Sequence, residues 1–236
     1  MNLATVMGVW AHPDDETYLA AGLFAHAVDL GSRVVDVTAT RGEGGSMDEE
    51  RWPPETMGEV REQELRRGLA VLGVTEHYWL ELPDVDMQTP LPKIGASRVR
   101  GLMEKVRPAS VLTFGPDGMT GHEGHKTVSR WATDEFREVA PSGARMFYAT
   151  QTPELAAEWV PKLEPFDMFL PGTPPVTPRE ELGICYTLSG YELDRKLRGI
   201  QEHASQIEGL RKVFGEDGLR RFMAEEYYRL AEVKEG

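Results

Sequence analysis

The stretch Ala11-His12-Pro13-Asp14-Asp15-Glu16 sets one imidazole and two adjacent carboxylates at the end of an apolar run, Leu3 to Ala11. A run of that length and composition suits a strand buried on both faces. Pro13 lacks an N–H and has a fixed φ, so the strand stops there. Asp14 or Asp15 then caps a helix: Leu19, Leu23, Ala27 and Leu30 recur at helical spacing, and Gly31 ends it. His12 and the aspartates are thereby predicted at the carboxyl end of a strand and the amino end of a helix, the position of ligand sites in open α/β sheets.

Working outward, Arg33 to Thr40 is a second strand, close enough behind the first helix to make a parallel strand-helix-strand unit. Thr40-Arg41-Gly42-Glu43-Gly44-Gly45 is a glycine-rich loop at the same end of the sheet as His12. It lacks the endings of a P-loop or a dinucleotide fingerprint. Arg41 is a candidate for holding substrate hydroxyls or an anionic group. Residues 46 to 56 form a polar loop and candidate lid, and Glu55 to Leu72 a charged amphipathic helix whose Arg/Glu run reads as a solvated face. His77 to Leu80 is a third strand; Asp84 follows it on the ligand side, a candidate contact for a substrate hydroxyl.

The pattern continues with a helix over Ile94 to Val106 and a fourth strand over Ala109 to Phe114. A helix over Glu123 to Val139 and a fifth strand over Ala144 to Ala149 follow. Five strands alternating with helices predict an α/β, Rossmann-like, mainly parallel sheet flanked by helices. Residues 151–182, rich in proline, read as an extended surface segment over the mouth of the site. Gly183 to Thr187 is a plausible further strand, and Tyr191 to Phe214 and Leu219 to Ala231 read as terminal helices. The whole reads as one domain over 1-236, with a core of 1-150 and an appended 151-236.

Gly121-His122-Glu123-Gly124-His125 opens the helix after the fourth strand, and its two histidines, three apart, share a helical face. Two strand-to-helix turns therefore carry metal-type residues. His12, one of the two aspartates and one histidine of the second pair would supply three ligands and leave a position open for water, as in a catalytic zinc site.

Composition narrows the partners. A net charge of -13 over 236 residues disfavours nucleic acid. The lone Cys185 excludes an intrachain disulfide and reads as a small buried hydrophobe in a reducing compartment. The first residues lack a basic leader and no apolar run approaches a membrane span, so a cytoplasmic chain is expected. Trp159 and Phe169 are candidate surface hydrophobes for a homo-oligomer interface.

The Ala-His-Pro-Asp-Asp-Glu run with the distant His-x-x-His resembles the LmbE-like, or PIG-L, family of zinc-dependent N-deacetylases. Residues 40–45, Arg61-Glu62-x-Glu64-Leu65 through Leu72-Gly73-Val74, Leu82-Pro83-Asp84 and His203-x-Ser205-Gln206 match as well, so the resemblance spans nearly the whole chain. It implies His12, Asp15 and His125 as ligands of zinc, or of another divalent metal such as Fe2+. It also implies Asp14 as general base and His122 as partner of the oxyanion. The implied reaction is removal of an acetyl group from a soluble N-acetylglucosamine-type substrate. A related amidase acting on a thiol conjugate and a metal-binding non-catalytic module are the alternatives.

Two departures accompany the resemblance. Gly124 stands where family members often carry an acidic residue, so Asp117, in the preceding turn, becomes the candidate for orienting an imidazole from behind. Thr120 stands where the mycothiol-pathway members have a tyrosine, which argues against a mycothiol substrate. His203 is expected to be structural, and His26 and His77 structural or superficial.

Overall fold

The computed structural model describes residues 4–84, 88–164 and 168–235. Strand β1 (Thr5–Trp10) lies at the centre of a seven-stranded sheet of order β3-β2-β1-β4-β5-β7-β6, with β2 at Arg33–Thr40, β3 at Glu76–Leu82, β4 at Ser110–Phe114 and β5 at Arg145–Ala149. Leu3, the expected start of the first strand, lies outside the described residues. The five strands through β5 are parallel, and the order changes direction at β1, which pairs with β2 on one side and β4 on the other. That reversal opens a crevice at the carboxyl ends of β1 and β4. Both metal-type turns leave those two strands.

Three of the helices follow the apolar spacing. Helix α3 (Pro54–Leu72) buries Met57, Leu65, Leu69 and Leu72 and ends at Gly73 with φ 76°, the left-handed conformation a glycine adopts freely. Helix α4 (Ile94–Val106) and helix α5 (Glu123–Val139) have the expected bounds, and α5 turns Val128, Ala132 and Phe136 inward. The first helix is two short ones, α1 (Asp15–Leu19) and α2 (Ala21–Asp29), broken at Ala20. Asp14 precedes α1 but its side chain does not cap it, and Leu30 is exposed rather than part of the stripe.

The second half departs further from expectation. The proline-rich segment holds a helix, α6 (Pro153–Leu163), started by the Thr152 hydroxyl accepting from Leu155 N and by proline in the first turn. Strand β6 (Ile184–Thr187) was foreseen, but Leu219 to Ala231 is not a helix. Helices α7 (Gly190–Gln201) and α8 (Ala204–Phe222) are followed by strand β7 (Glu225–Val233), antiparallel to both β5 and β6. Local composition there is helix-tolerant, yet Tyr227 and Tyr228 fill the sheet and pairing with β5 overrides propensity. The sheet therefore has seven strands rather than five.

Trp159 is 3% exposed and packs on Phe214 and Phe222 in a second apolar cluster between α6, α7 and α8, so it is no surface hydrophobe. Cys185, expected to be buried, is exposed, with its sulfur 2.9 Å from Arg179 Nη1. No helix among the described residues is long and apolar enough to cross a membrane.

Candidate active site

His12 lies two residues beyond the end of β1 and His125 on the first turn of α5, and the fold brings their rings together. His12 Nδ1 and His125 Nε2 are 3.1 Å apart. Asp15 closes a triangle, with Oδ2 3.9 Å from His12 Nδ1 and Oδ1 3.6 Å from His125 Nε2. Its carboxylate is held by two backbone donors, His12 N at 2.8 Å and Ala11 N at 3.2 Å. His122 joins the same cluster: one nitrogen from each of His12, His122 and His125 falls within a 4.8 Å set that could hold a metal ion.

The outer ring nitrogens decide what the inner ones carry. His12 Nε2 lies 3.3 Å from Asp84 Oδ1, and His125 Nδ1 donates to Gly118 O at 2.9 Å. Both outer nitrogens therefore bear protons, and in the neutral rings Nδ1 of His12 and Nε2 of His125 present lone pairs to each other. Two facing lone pairs need a cation or a shared proton between them. Ligand nitrogens about 2.0–2.1 Å from one tetrahedral zinc stand roughly 3.3 Å apart, close to the spacing found. The donor set fits a divalent metal.

The ionisation pattern follows from the same contacts. Burial presses the His12 imidazolium down, but the Asp84 hydrogen bond and the Asp15 and Asp84 charges outweigh it, and its pKa is raised. Burial and the His12 charge push His125 well down. Burial raises Asp84 too, yet the His12 hydrogen bond and charge win and leave it at about 2.

Asp14 has φ 107°, a left-handed conformation unusual for any residue but glycine. Two side chains hold it. Its N–H donates to Glu16 Oε2 at 3.0 Å, and Arg61 Nη2 lies 3.3 Å from its Oδ2. The same guanidinium nitrogen donates to Pro13 O at 2.5 Å, while Arg61 Nη1 donates to Gly42 O at 3.2 Å. Burial raises the Asp14 carboxyl, Arg61 opposes, Asp15 adds to the rise, and the balance is about 6.

Arg61 is 4% exposed, so the Arg/Glu run of α3 is not wholly a solvated face. Glu64, one turn on, is buried as well and accepts from Ser205 N and Oγ. Gly42, at φ 66°, leaves room for the guanidinium: a Cβ there would collide with it. The glycine-rich loop is shaped to an arginine, though not to Arg41.

Arg41 is turned away from the cavity. It is bound by Glu62 at 2.7 Å and Glu81 at 2.5 Å and lies over the Trp79 ring. Asp84 does face the cavity, with Oδ2 accepting from Gly44 N at 3.0 Å. Asp117 does not reach an imidazole; its Oδ1 accepts from Met119 N at 2.7 Å, and the Gly118 carbonyl takes the orienting role. At Gly124 a Cβ would stand 3.2 Å from His122 Nδ1, so the missing side chain gives the imidazoles room. His203 is fully buried against Glu16.

Residues 7–136 match the family described as PIG-L: GlcNAc-PI de-N-acetylase. The chain belongs to the PIG-L family. A family relative, the 1D-myo-inositol 2-acetamido-2-deoxy-alpha-D-glucopyranoside deacetylase of Saccharomonospora viridis, is 30% identical over 84% of this chain and 84% of its own length. Among solved structures, the N,N'-diacetylchitobiose deacetylase from Pyrococcus horikoshii superposes with TM-score 0.67 and 18% identity, over 98% of this chain and 84% of that one. GalB, a 4-carboxy-2-hydroxymuconate hydratase from a Pseudomonas, superposes with TM-score 0.65 and 16% identity, over 98% of both chains. The PIG-L fold thus carries more than one chemistry, and the site, not the sheet, must argue the reaction. Of the site residues, Arg61 is the one the sequence reading passes over. Its signal was present in the family match at Arg61-Glu62-x-Glu64.

Proposed function

We propose that this PIG-L chain is a metal-dependent N-deacetylase that hydrolyses the acetamide of an N-acetylglucosamine-type substrate. One observation carries the reading: His12 and His125 face each other at 3.1 Å with their outer nitrogens committed to Asp84 and Gly118. Asp15 stands beside both. His12, Asp15 and His125 would hold the ion; zinc suits these nitrogen and oxygen donors, and Fe2+ is the alternative. Such an ion polarises a carbonyl and lowers the pKa of water at its open position toward ~7.

Asp14 takes the proton from the attacking water. A carboxyl at about 6 is ionised at neutral pH, yet basic enough to accept a proton and later return it to the leaving amine. His122 Nδ1 accepts from Gly124 N at 3.1 Å, so the neutral ring carries its proton on Nε2. That tautomer makes His122 a donor for the oxyanion of the tetrahedral intermediate rather than a fourth ligand through Nε2. Asp84 fixes the His12 ring and keeps lone pairs for a sugar hydroxyl. Arg61 holds Asp14 and lines the cavity beside it, where Arg41 was expected to reach.

The acetamido-sugar substrates named for the family relatives support this class of substrate. Metal analysis of the purified protein, with acetate release measured over a panel of N-acetylglucosamine conjugates, tests the reading. One bound divalent ion and stoichiometric acetate are expected. Release of a larger acid from a thiol conjugate would instead mark an amidase, and no release from metal-loaded protein would leave a binding module.

A further inference from the structure

The cavity that holds the site measures about 780 Å³, and its far wall is hydrocarbon. Leu155 and Leu163 of α6, Phe169, and Leu210, Val213 and Phe222 of α8 line it. Leu210 and Val213, three apart, share one helical face. Leu163 and Leu210 belong to the second apolar cluster, and Leu155, Phe169, Val213 and Phe222 pack on it, so this wall is part of the packed interior.

The polar groups on this side are mostly paired with each other. Lys196 Nζ lies 2.8 Å from Glu226 Oε1, and both side chains are 1% exposed. The Glu226 carboxylate also accepts from Gly22 N and Leu23 N. Arg179 pairs with Glu225, and Thr150 with Thr177. Gln151 and Tyr18 are the exceptions: the buried Gln151 Oε1 and Tyr18 Oη have no hydrogen-bond partner. A polyol placed here would set hydroxyls against hydrocarbon, which is costly unless each finds a partner. An apolar group would lose only its water.

We infer that the substrate joins its amino-sugar amide to an extended apolar group, and that this group fills the chamber between α6, α8 and Phe169. The amide rests on the deacetylase reading above, whereas the chamber is a separate observation. The apolar group has two points of attachment, the anomeric oxygen or the acyl carbon of the amide.

Two series separate them: methyl, butyl and hexyl glycosides of N-acetylglucosamine, and methyl glucosaminides bearing N-acetyl, N-butanoyl and N-hexanoyl groups. In one series kcat/KM is expected to rise about fourfold per methylene, the equivalent of ~0.8 kcal/mol for each CH₂ buried. Val213→Glu should cut the ratio of hexyl to methyl by about tenfold or more. Flat or falling values in both series would overturn the inference. Calorimetric binding of the same compounds to an Asp14→Asn variant separates the two readings. Affinity that grows with chain length, without hydrolysis by metal-loaded wild type, keeps the chamber and sinks the deacetylase. Hydrolysis without dependence on chain length does the reverse.

Discussion

Glu16 and His203, from opposite ends of the chain and both without solvent exposure, face each other with Oε1 3.3 Å from Nε2. The other Glu16 oxygen accepts the Asp14 N–H. A residue at φ 107° costs on the order of 1–3 kcal/mol and persists only where its surroundings over-determine it. Glu16, backed by His203, is one such determinant and Arg61 is another. Glu16→Ala should lower kcat by about 10–10²-fold, because a displaced reacting group loses that much. Glu16→Gln keeps an acceptor for the Asp14 N–H and should lose less. Steady-state kinetics with metal content measured in parallel checks both.

Arg61 and Arg41 should behave differently. Removing the Arg61 guanidinium leaves the Pro13 carbonyl and the Asp14 carboxylate without that donor, while the Gly42 carbonyl keeps Gly45 N. Arg61→Ala should therefore cost about 3–5 kcal/mol in urea unfolding, and most of the activity. Arg41 is held by partly exposed Glu62 and Glu81, so Arg41→Ala should cost under about 1 kcal/mol and leave kcat/KM within about twofold. A larger loss of activity in Arg41→Ala would restore the substrate contact expected from the sequence.

Acid should reveal His77. Burial, then the Arg66 charge, depress its pKa from 6.5 to about 4. The unfolded chain binds the proton more readily, so the His77 contribution is fully present above pH 6.5 and is lost as pH falls toward 4. By pH 4.5 the loss amounts to roughly 2–3 kcal/mol at ~1.4 kcal/mol per pH unit. His77→Gln should gain stability relative to wild type by that amount between pH 7 and 4.5. Urea midpoints at the two pH values measure it, and an unchanged difference would contradict the assignment.

Metal removal should be reversible and visible in stability. A chelator should abolish turnover, and zinc should restore it. Saturating zinc should raise the unfolding free energy by about 2.7 kcal/mol at a hundredfold excess over Kd. His125→Ala should lose most of that shift, read as the change in melting temperature with zinc.

The parallel half of the fold was legible because its strands are short apolar runs punctuated by proline, glycine and aspartate. Each turn signal falls at the end that carries the chemistry. His12, Asp14, Asp15, His122 and His125 stand out as candidates because they sit directly on such turns, and the fold gathers them around one cavity. Three things were not legible. Glu225–Val233 has no strand periodicity of its own, since Glu226 points inward to meet Lys196, a partner no local pattern shows. The family match marks Arg61, but its burial was hidden in a charged helical run, where only tertiary packing tells a buried guanidinium from a solvated one. Helix α6 did carry a signal, Thr152-Pro153, which the many neighbouring prolines masked.

The central claim is that two turns meet at one metal ion with Asp14 as the base beside it. Asp14→Asn tests it most directly, because the amide keeps the shape and loses only the basic oxygen. With metal content unchanged, acetate release should fall by about 10²–10⁴-fold, the usual share of a general base. Turnover within a few-fold of wild type, at full metal occupancy, would contradict the account.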